Sequence, residues 1–456
     1  MLSRPSSERD PIDLLLLKAD ALDDWLDQST VAERNWVAIH AFKGQPGQHL
    51  MLPDEDGTLK CVLVGCAEQP DLWTLAPLPA ALPEGQYRLA DEDALSSATI
   101  EHLALGWCLG HYQFDRYKPA HRAAARLVID DTMRRAVEIH RDVMFRVRDW
   151  VNTPANDLGP GELADIAHEL AARSEADIQI IQGEALEQEC PAIHVVGQAA
   201  SRAPRLICMQ WGDPAHPPLA LVGKGVIFDS GGLNIKPGAG MVLMKKDMGG
   251  AAHALGLAEL IMRFDLPVHL RVYIPAVENA IAGNAYRPSD IIRTRNGTSV
   301  EIGNTDAEGR VVLSDALTLA SEQGAERIID FATLTGAARV ALGEDLPPLY
   351  ARDDAAARRV QDRAFELDDP VWHMPLYEPY RNQIQPRIAD LSNTGTSSFA
   401  GSLTAALFLD HFVAPEIDWM HLDVYAWNQS NRPGRPAGGE AQGIRAIYAW
   451  LESTYR

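Results

Sequence analysis

Beyond about residue 150 the chain alternates between two patterns of apolar positions. Short unbroken apolar runs at 219–222, 269–274, 327–331 and 419–424 predict strands. Between them, residues 248–264, 311–323, 403–412 and 443–451 carry apolar residues at helical spacing and predict helices. Such alternation predicts an α/β domain, with helices around a central, mostly parallel (mixed) sheet. Ahead of it, residues 36–39 and 62–64 suggest strands and 92–108 a helix, while Leu14 to Leu17 read as part of an amphipathic helix. A long helix with alternating charge is expected over 120–151, stopped by Asn152-Thr153-Pro154. Three segments follow: a small N-terminal α/β domain (1–118), a connecting helix (119–151) and a larger catalytic α/β domain (152–456). Residues 351–359 are rich in alanine and charge, in a stretch too short to mark disorder.

Composition narrows the function. The chain of 456 residues is 46% hydrophobic and 23% charged, as a soluble globular protein is. Its net charge of −22 counts against nonspecific contact with nucleic acid or anionic membrane, both of which need Lys and Arg against phosphate. The same charge favours a substrate with a free ammonium group. No apolar run approaches the ~20 residues of a bilayer span. The acidic residues around Leu14–Leu17 do not fit a signal peptide. The five cysteines, Cys61, Cys66, Cys108, Cys190 and Cys208, include no CxxC pair and suit a reducing compartment. The expected location is cytoplasmic.

Two stretches carry the chemistry. The first runs Val222-Gly223-Lys224-Gly225-Val226-Ile227-Phe228-Asp229 and on to Lys236 and Asp247; the second is Asn304-Thr305-Asp306-Ala307-Glu308-Gly309-Arg310. Together they hold four carboxylates, two lysines and an arginine among small and apolar residues. Carboxylates this dense repel one another unless cations neutralise them, so metal is the first hypothesis. Asp306, Glu308 and Arg310 alternate, as on an extended segment with all three side chains on one side. Arg310 then stands at the start of the helix, where a bound anion would reconcile a cation with the helix dipole. Asp247 is placed to cap the helix beginning at Met248. Gly223-Lys224-Gly225 lacks the following Ser/Thr and the upstream glycine of a phosphate loop. His253 and His421 fit packed residues better than ligands.

Both stretches resemble the signatures of the leucyl aminopeptidase (cytosol aminopeptidase) family, di-metal exopeptidases. The resemblance implies that Lys224, Asp229, Asp247 and Glu308 hold one divalent ion, and that Asp229, Asp306 and Glu308 hold a second. Lysine binds metal only as the neutral amine, so Lys224 needs a dication to lower its pKa. Oxygen-rich ligation with one amine suits Mn or Zn, with Co or Mg possible. The implied reaction releases N-terminal residues from peptides with a free N-terminus, Leu and Met by default, through a metal-bridging hydroxide. Lys236 would stabilise the oxyanion. Arg310 would hold a bicarbonate-like anion that carries the proton. The family also implies a homo-hexamer.

For the substrate pocket the resemblance points to Met244, Thr333 and Gly336. Where the family usually reads His-Leu-Asp-Ile-Ala-Gly, this chain has His421-Leu422-Asp423-Val424-Tyr425-Ala426, then Trp427 and Asn428. A bulky Tyr425 can narrow that pocket or point elsewhere. Two alternatives remain at this stage: an additional DNA-binding or regulatory role, and a catalytically impaired scaffold blocked at Tyr425.

Overall fold

The computed structural model describes residues 1–3, 10–90, 92–119 and 124–456. They divide into two compact units, Met1–Phe145 with Gln429–Ala437, and Arg146–Asn428 with Gly438–Arg456. In the first unit, strands β1 (Leu2–Ser3), β2 (Ile12–Lys18), β3 (His49–Pro53), β4 (Leu59–Cys66), β5 (Gly85–Leu89) and β6 (Ala125–Val128) form one sheet. Its order is β1-β6-β5-β2-β4-β3. Neighbours are parallel except β3 with β4.

Three local expectations fail in this unit, each for a physical reason. Leu14 to Leu17 lie in strand β2, paired on both edges by β4 and β5, and not in a helix. A run of consecutive leucines carries no helical period, and an inner strand of a parallel sheet accepts it. Trp36 to Ile39 belong to the helix Val31–Ile39 and not to a strand; its start is fixed by a capping box between Thr30 and Glu33. The long connecting helix begins only at Asp131 and runs to Asn152. Ala125–Val128 are a strand instead, and residues 120–123 of the expected helix lie outside the described residues. Residues 62–64 do form a strand, in β4, and the helix Ser97–Gly110 is capped by Ser96.

The second unit contains β7 (Asp177–Gln182), β8 (Arg205–Trp211), β9 (Pro218–Gly223), β10 (Gly225–Asp229), β11 (His269–Asn279), β12 (Ile291–Arg293) and β13 (Ser299–Glu301). It continues with β14 (Arg327–Ala332), β15 (Pro348–Ala351), β16 (Trp372–Met374), β17 (Leu391–Ser392), β18 (Asp418–Asp423), β19 (Trp427–Asn428) and β20 (Gly438–Gly439). The main sheet is mixed and runs β16-β15-β18-β14-β9-β11-β8-β7, with β10 also on β11. Its centre, β18-β14-β9-β11, is parallel. The predicted helices are present as Gly249–Arg263, Glu308–Glu322, Gly401–Asp410 and Ile444–Tyr455, and residues 354–359 fall in the helix Asp354–Glu366.

Strand β11 pairs β9 with its first half and β10 with its second. The break between β9 and β10 is Lys224 itself, whose N–H donates to Phe331 O and whose C=O accepts from Ala251. Because these central strands are parallel, their carboxyl ends open on one edge of the sheet, where α/β folds place their sites. Lys224, Asp229, Asn279, Thr333 and Asp423 all stand at or just beyond those ends.

Candidate active site

Two lysines organise the carboxylates. Lys224 Nζ lies 2.8 Å from both Asp247 Oδ2 and Glu308 Oε1 and donates to Thr333 O at 3.0 Å. Lys236 Nζ lies 2.8 Å from Asp229 Oδ2 and 2.6 Å from Asp306 Oδ1. Asp229, Asp306 and Glu308 each bring one carboxylate oxygen to within 4.8 Å of the others, a spacing that can hold a metal ion. All but Asp306 and Lys236 are buried.

The positions come from local structure. Asp229 ends β10, and its Oδ1 accepts from the Gly231 N–H and from Asn279 Nδ2, both at 2.8 Å. Asn279 also donates to Thr305 O, as does the Tyr286 hydroxyl, which pins the turn before Asp306. Glu308 and Arg310 are not on an extended segment with Asp306. The helix begins at Glu308, so both sit in its first turn while Asp306 stays in the preceding turn. Asp247 does not cap its helix: it belongs to a 3-10 turn, Met244–Met248, and its Oδ1 accepts from Thr333 Oγ1 at 2.8 Å. Gly309 is fixed by space, since a Cβ there would meet Lys224 Nζ and Cε at 2.7 Å.

The electrostatics are those of carboxylates short of cations. Burial, reinforced by Asp229, pushes Glu308 up to about 8. Burial, reinforced by Asp247, raises Asp229 to about 6. Glu308 Oε2 is buried without a hydrogen-bond partner. Four carboxylates against two lysines leave negative charge that only further cations offset, so the donor set fits divalent metal.

Arg310 is buried, its Nε has no hydrogen-bond partner, and among the described residues its guanidinium forms no ion pair, with Glu308 or any other group. Burial lowers it to about 10. A buried, unpartnered cation in the first turn of a fifteen-residue helix is suited to an anion.

A cavity of about 70 Å³ opens over the cluster, lined by Lys224, Asp229, Lys236, Asp247 and Asp306 among others. Met244, Thr333, Gly336 and Tyr425 line it as well, so Tyr425 faces the site. Asn428 does not: it is buried in the β19-β20 ribbon. Sequence reasoning missed Lys246, Arg339 and Asp423 in the lining. It also missed Gln442, whose Oε1 accepts from the N–H groups of Tyr425 and Ala426 and whose own N–H donates to His253 Nε2. His253 is thus a packed residue that holds the Tyr425 loop through Gln442. Asn279 was legible in principle, as a polar residue ending a long strand, but the predicted strand stopped at Ile274.

The sequence profile of the cytosol aminopeptidase family, catalytic domain, matches residues 145–448, and that of the M17 aminopeptidase N-terminal domain matches residues 11–130. The chain belongs to the cytosol aminopeptidase family. It is therefore a peptidase hydrolase of a two-metal family. A probable cytosol aminopeptidase of Syntrophotalea carbinolica is 38% identical over 398 residues, covering 83% of this chain and 77% of the relative. The crystal structure of the cytosol aminopeptidase from Coxiella burnetii superposes with a TM-score of 0.96 at 46% identity, covering 99% of each chain. The bottromycin maturation enzyme BotP in complex with Mn has a TM-score of 0.88 at 31% identity, covering 98% of this chain and 100% of that one. Family membership and the mixed α/β catalytic unit agree with the reading of the two motifs. No helix among the described residues is long and apolar enough to cross a membrane.

Proposed function

We propose that the chain is a two-metal aminopeptidase that releases N-terminal residues, leucine and methionine among them, from peptides with a free amino terminus. Lys224, Asp229, Asp247 and Glu308 would hold one ion, and Asp229, Asp306 and Glu308 the other. The observation that carries the reading is the under-neutralised cluster in which Asp229, Asp306 and Glu308 converge within 4.8 Å. Bound divalent ions would supply Lewis acidity toward the scissile carbonyl and a water activated at neutral pH.

The chain's own groups account for the rest. Lys236, half-buried at the cavity, can turn its ammonium toward the negative charge that develops on the carbonyl oxygen. Arg310 would keep a bicarbonate-like anion beside the cluster, and that anion would carry the proton. This reading assigns all four carboxylates of the cluster to the metal ions, which leaves none free as general base. The negative field of the cluster favours a charged amino terminus over a blocked one.

Mn and Zn are the proposed metals, with Co and Mg as alternatives; the Mn complex of BotP supports the first. A homo-hexamer, to be checked by light scattering, and a cytoplasmic location complete the proposal. Leu-p-nitroanilide and its N-acetyl form, assayed with Mn²⁺ and after chelation, test it. Cleavage of the free-amine substrate alone, lost on chelation, is expected. Equal cleavage of both forms, or full activity after chelation, would overturn it.

A further inference from the structure

One wall of the cavity has no part in that chemistry. Lys246 Nζ lies 4.7 Å from the centroid of the Tyr425 ring and Arg339 Cζ lies 4.6 Å from it. Lys246 is buried and Arg339 exposed, and both line the cavity. Among the described residues neither cationic head forms a hydrogen bond or an ion pair. The two nearby carboxylates are occupied. Asp247 meets Lys224 and Thr333. Asp423 accepts from the N–H groups of Leu334 and Thr335 and from the hydroxyls of Thr335 and Ser402. The backbone that carries the ring is itself held, because the Tyr425 and Ala426 N–H groups share Gln442 Oε1 and Ala426 has a left-handed φ of +57°.

A buried ammonium is costly without a compensating anion, and an aromatic face compensates only in part. Two cations held against one ring, with no anion of the protein's own, make a receptor for a carboxylate. The cavity also contains Asp229 and Asp306, so a side chain that reaches Lys246 and Arg339 is one borne next to the reacting carbonyl.

We propose that Lys246 and Arg339, set against Tyr425, select an acidic N-terminal residue, so that glutamate and aspartate are released in preference to neutral residues of the same size. The inference rests on the aminopeptidase reading above and names its preferred substrate class. A neutral side chain leaves both cations unpaired, and a site built around a polar partner discriminates strongly against the analogue that lacks it.

The test compares Glu-, Gln- and Leu-p-nitroanilide with Mn²⁺-loaded wild type, Lys246→Met and Arg339→Met. Glutamate and glutamine differ by charge at equal size. In the wild type kcat/KM is expected to be at least fivefold higher for Glu than for Gln. Each variant is expected to reduce that ratio tenfold or bring it below one. Arg339 is exposed, so its variant tests the idea even where Lys246→Met fails to fold. Cleavage of Leu with Gln equal to or better than Glu would overturn the proposal and leave the aminopeptidase reading standing. So would variants that slow Glu and Gln alike. Failure of the folded, metal-loaded protein on all three substrates would remove both.

Discussion

In the N-terminal unit, Thr74 is the one buried polar side chain among the described residues, and the remaining buried side chains are apolar, as in the cluster of Leu17, Val37, Phe42, Leu50, Leu52 and Leu63. The catalytic unit buries Arg148, Lys224, Asp229, Asp247, Glu308, Asp330 and Glu440. Both units are α/β, so layer architecture does not set the difference. The first unit buries almost only apolar area. The second spends part of the same gain on desolvating charge, which is stable only where each charge meets an opposite one. Function lies where the apolar rule is broken.

The sharpest way to break the comparison is at the unneutralised cluster. Lys236→Ala should lower kcat by about 10²–10³-fold while the protein stays folded, as for loss of one preorganised oxyanion donor. Retention of near-full activity in a metal-loaded variant would place the oxyanion elsewhere. The next largest effect is expected at the buried pair Arg148–Glu440, 2.9 Å apart. Arg148→Met should cost about 3–5 kcal/mol by removing the ion pair from a buried Glu440, and the double change Arg148→Met with Glu440→Gln distinctly less. Denaturant melts of the single and double variants decide this.

In the apolar unit, Leu63→Ala should cost about 2–5 kcal/mol through a cavity, with kcat/KM of the remaining folded protein within twofold of the parent. Metal affinity should not move, because no buried charge is disturbed; a tenfold change measured by titration would contradict the division of roles. The last effect concerns acid, and only part of it is reached at ordinary acidic pH. His253 is fully buried, with Nδ1 against Gly249 O and Nε2 accepting the Gln442 N–H, and burial lowers it to about 4 from 6.5. The unfolded chain therefore takes up this proton first. Stability from this residue is complete above pH 6.5 and falls as pH drops toward 4, by about 3 kcal/mol in all. Melting temperatures at pH 7 and 4.5 should diverge less for His253→Asn than for the parent.

What the sequence revealed follows the same line. The metal motifs were readable because charge packed among glycines and apolar residues has few explanations, and the strands beneath them because apolar runs in an α/β alternation are unambiguous. Leu14 to Leu17 misled because four leucines suit a buried strand as well as a helix face. The Asp306–Arg310 segment misleads because a period of two in charges need not be a period of the backbone: the helix begins at Glu308. Lys246, Arg339 and Gln442 were illegible for a different reason. They stand far apart along the chain and come together only through the carboxyl edge of the sheet, and one lysine before an aspartate looks like any other.

Gly309 shows how little freedom the site has left. Its missing side chain is the channel through which another residue's amine reaches the carboxylates, so the volume at position 309 belongs to Lys224. Redesign at position 224 can only go one way: a shorter side chain leaves a slot that water can enter, while a bulkier one meets the helix start at Gly309. Any attempt to retune the centre for another metal has to begin from the smaller side.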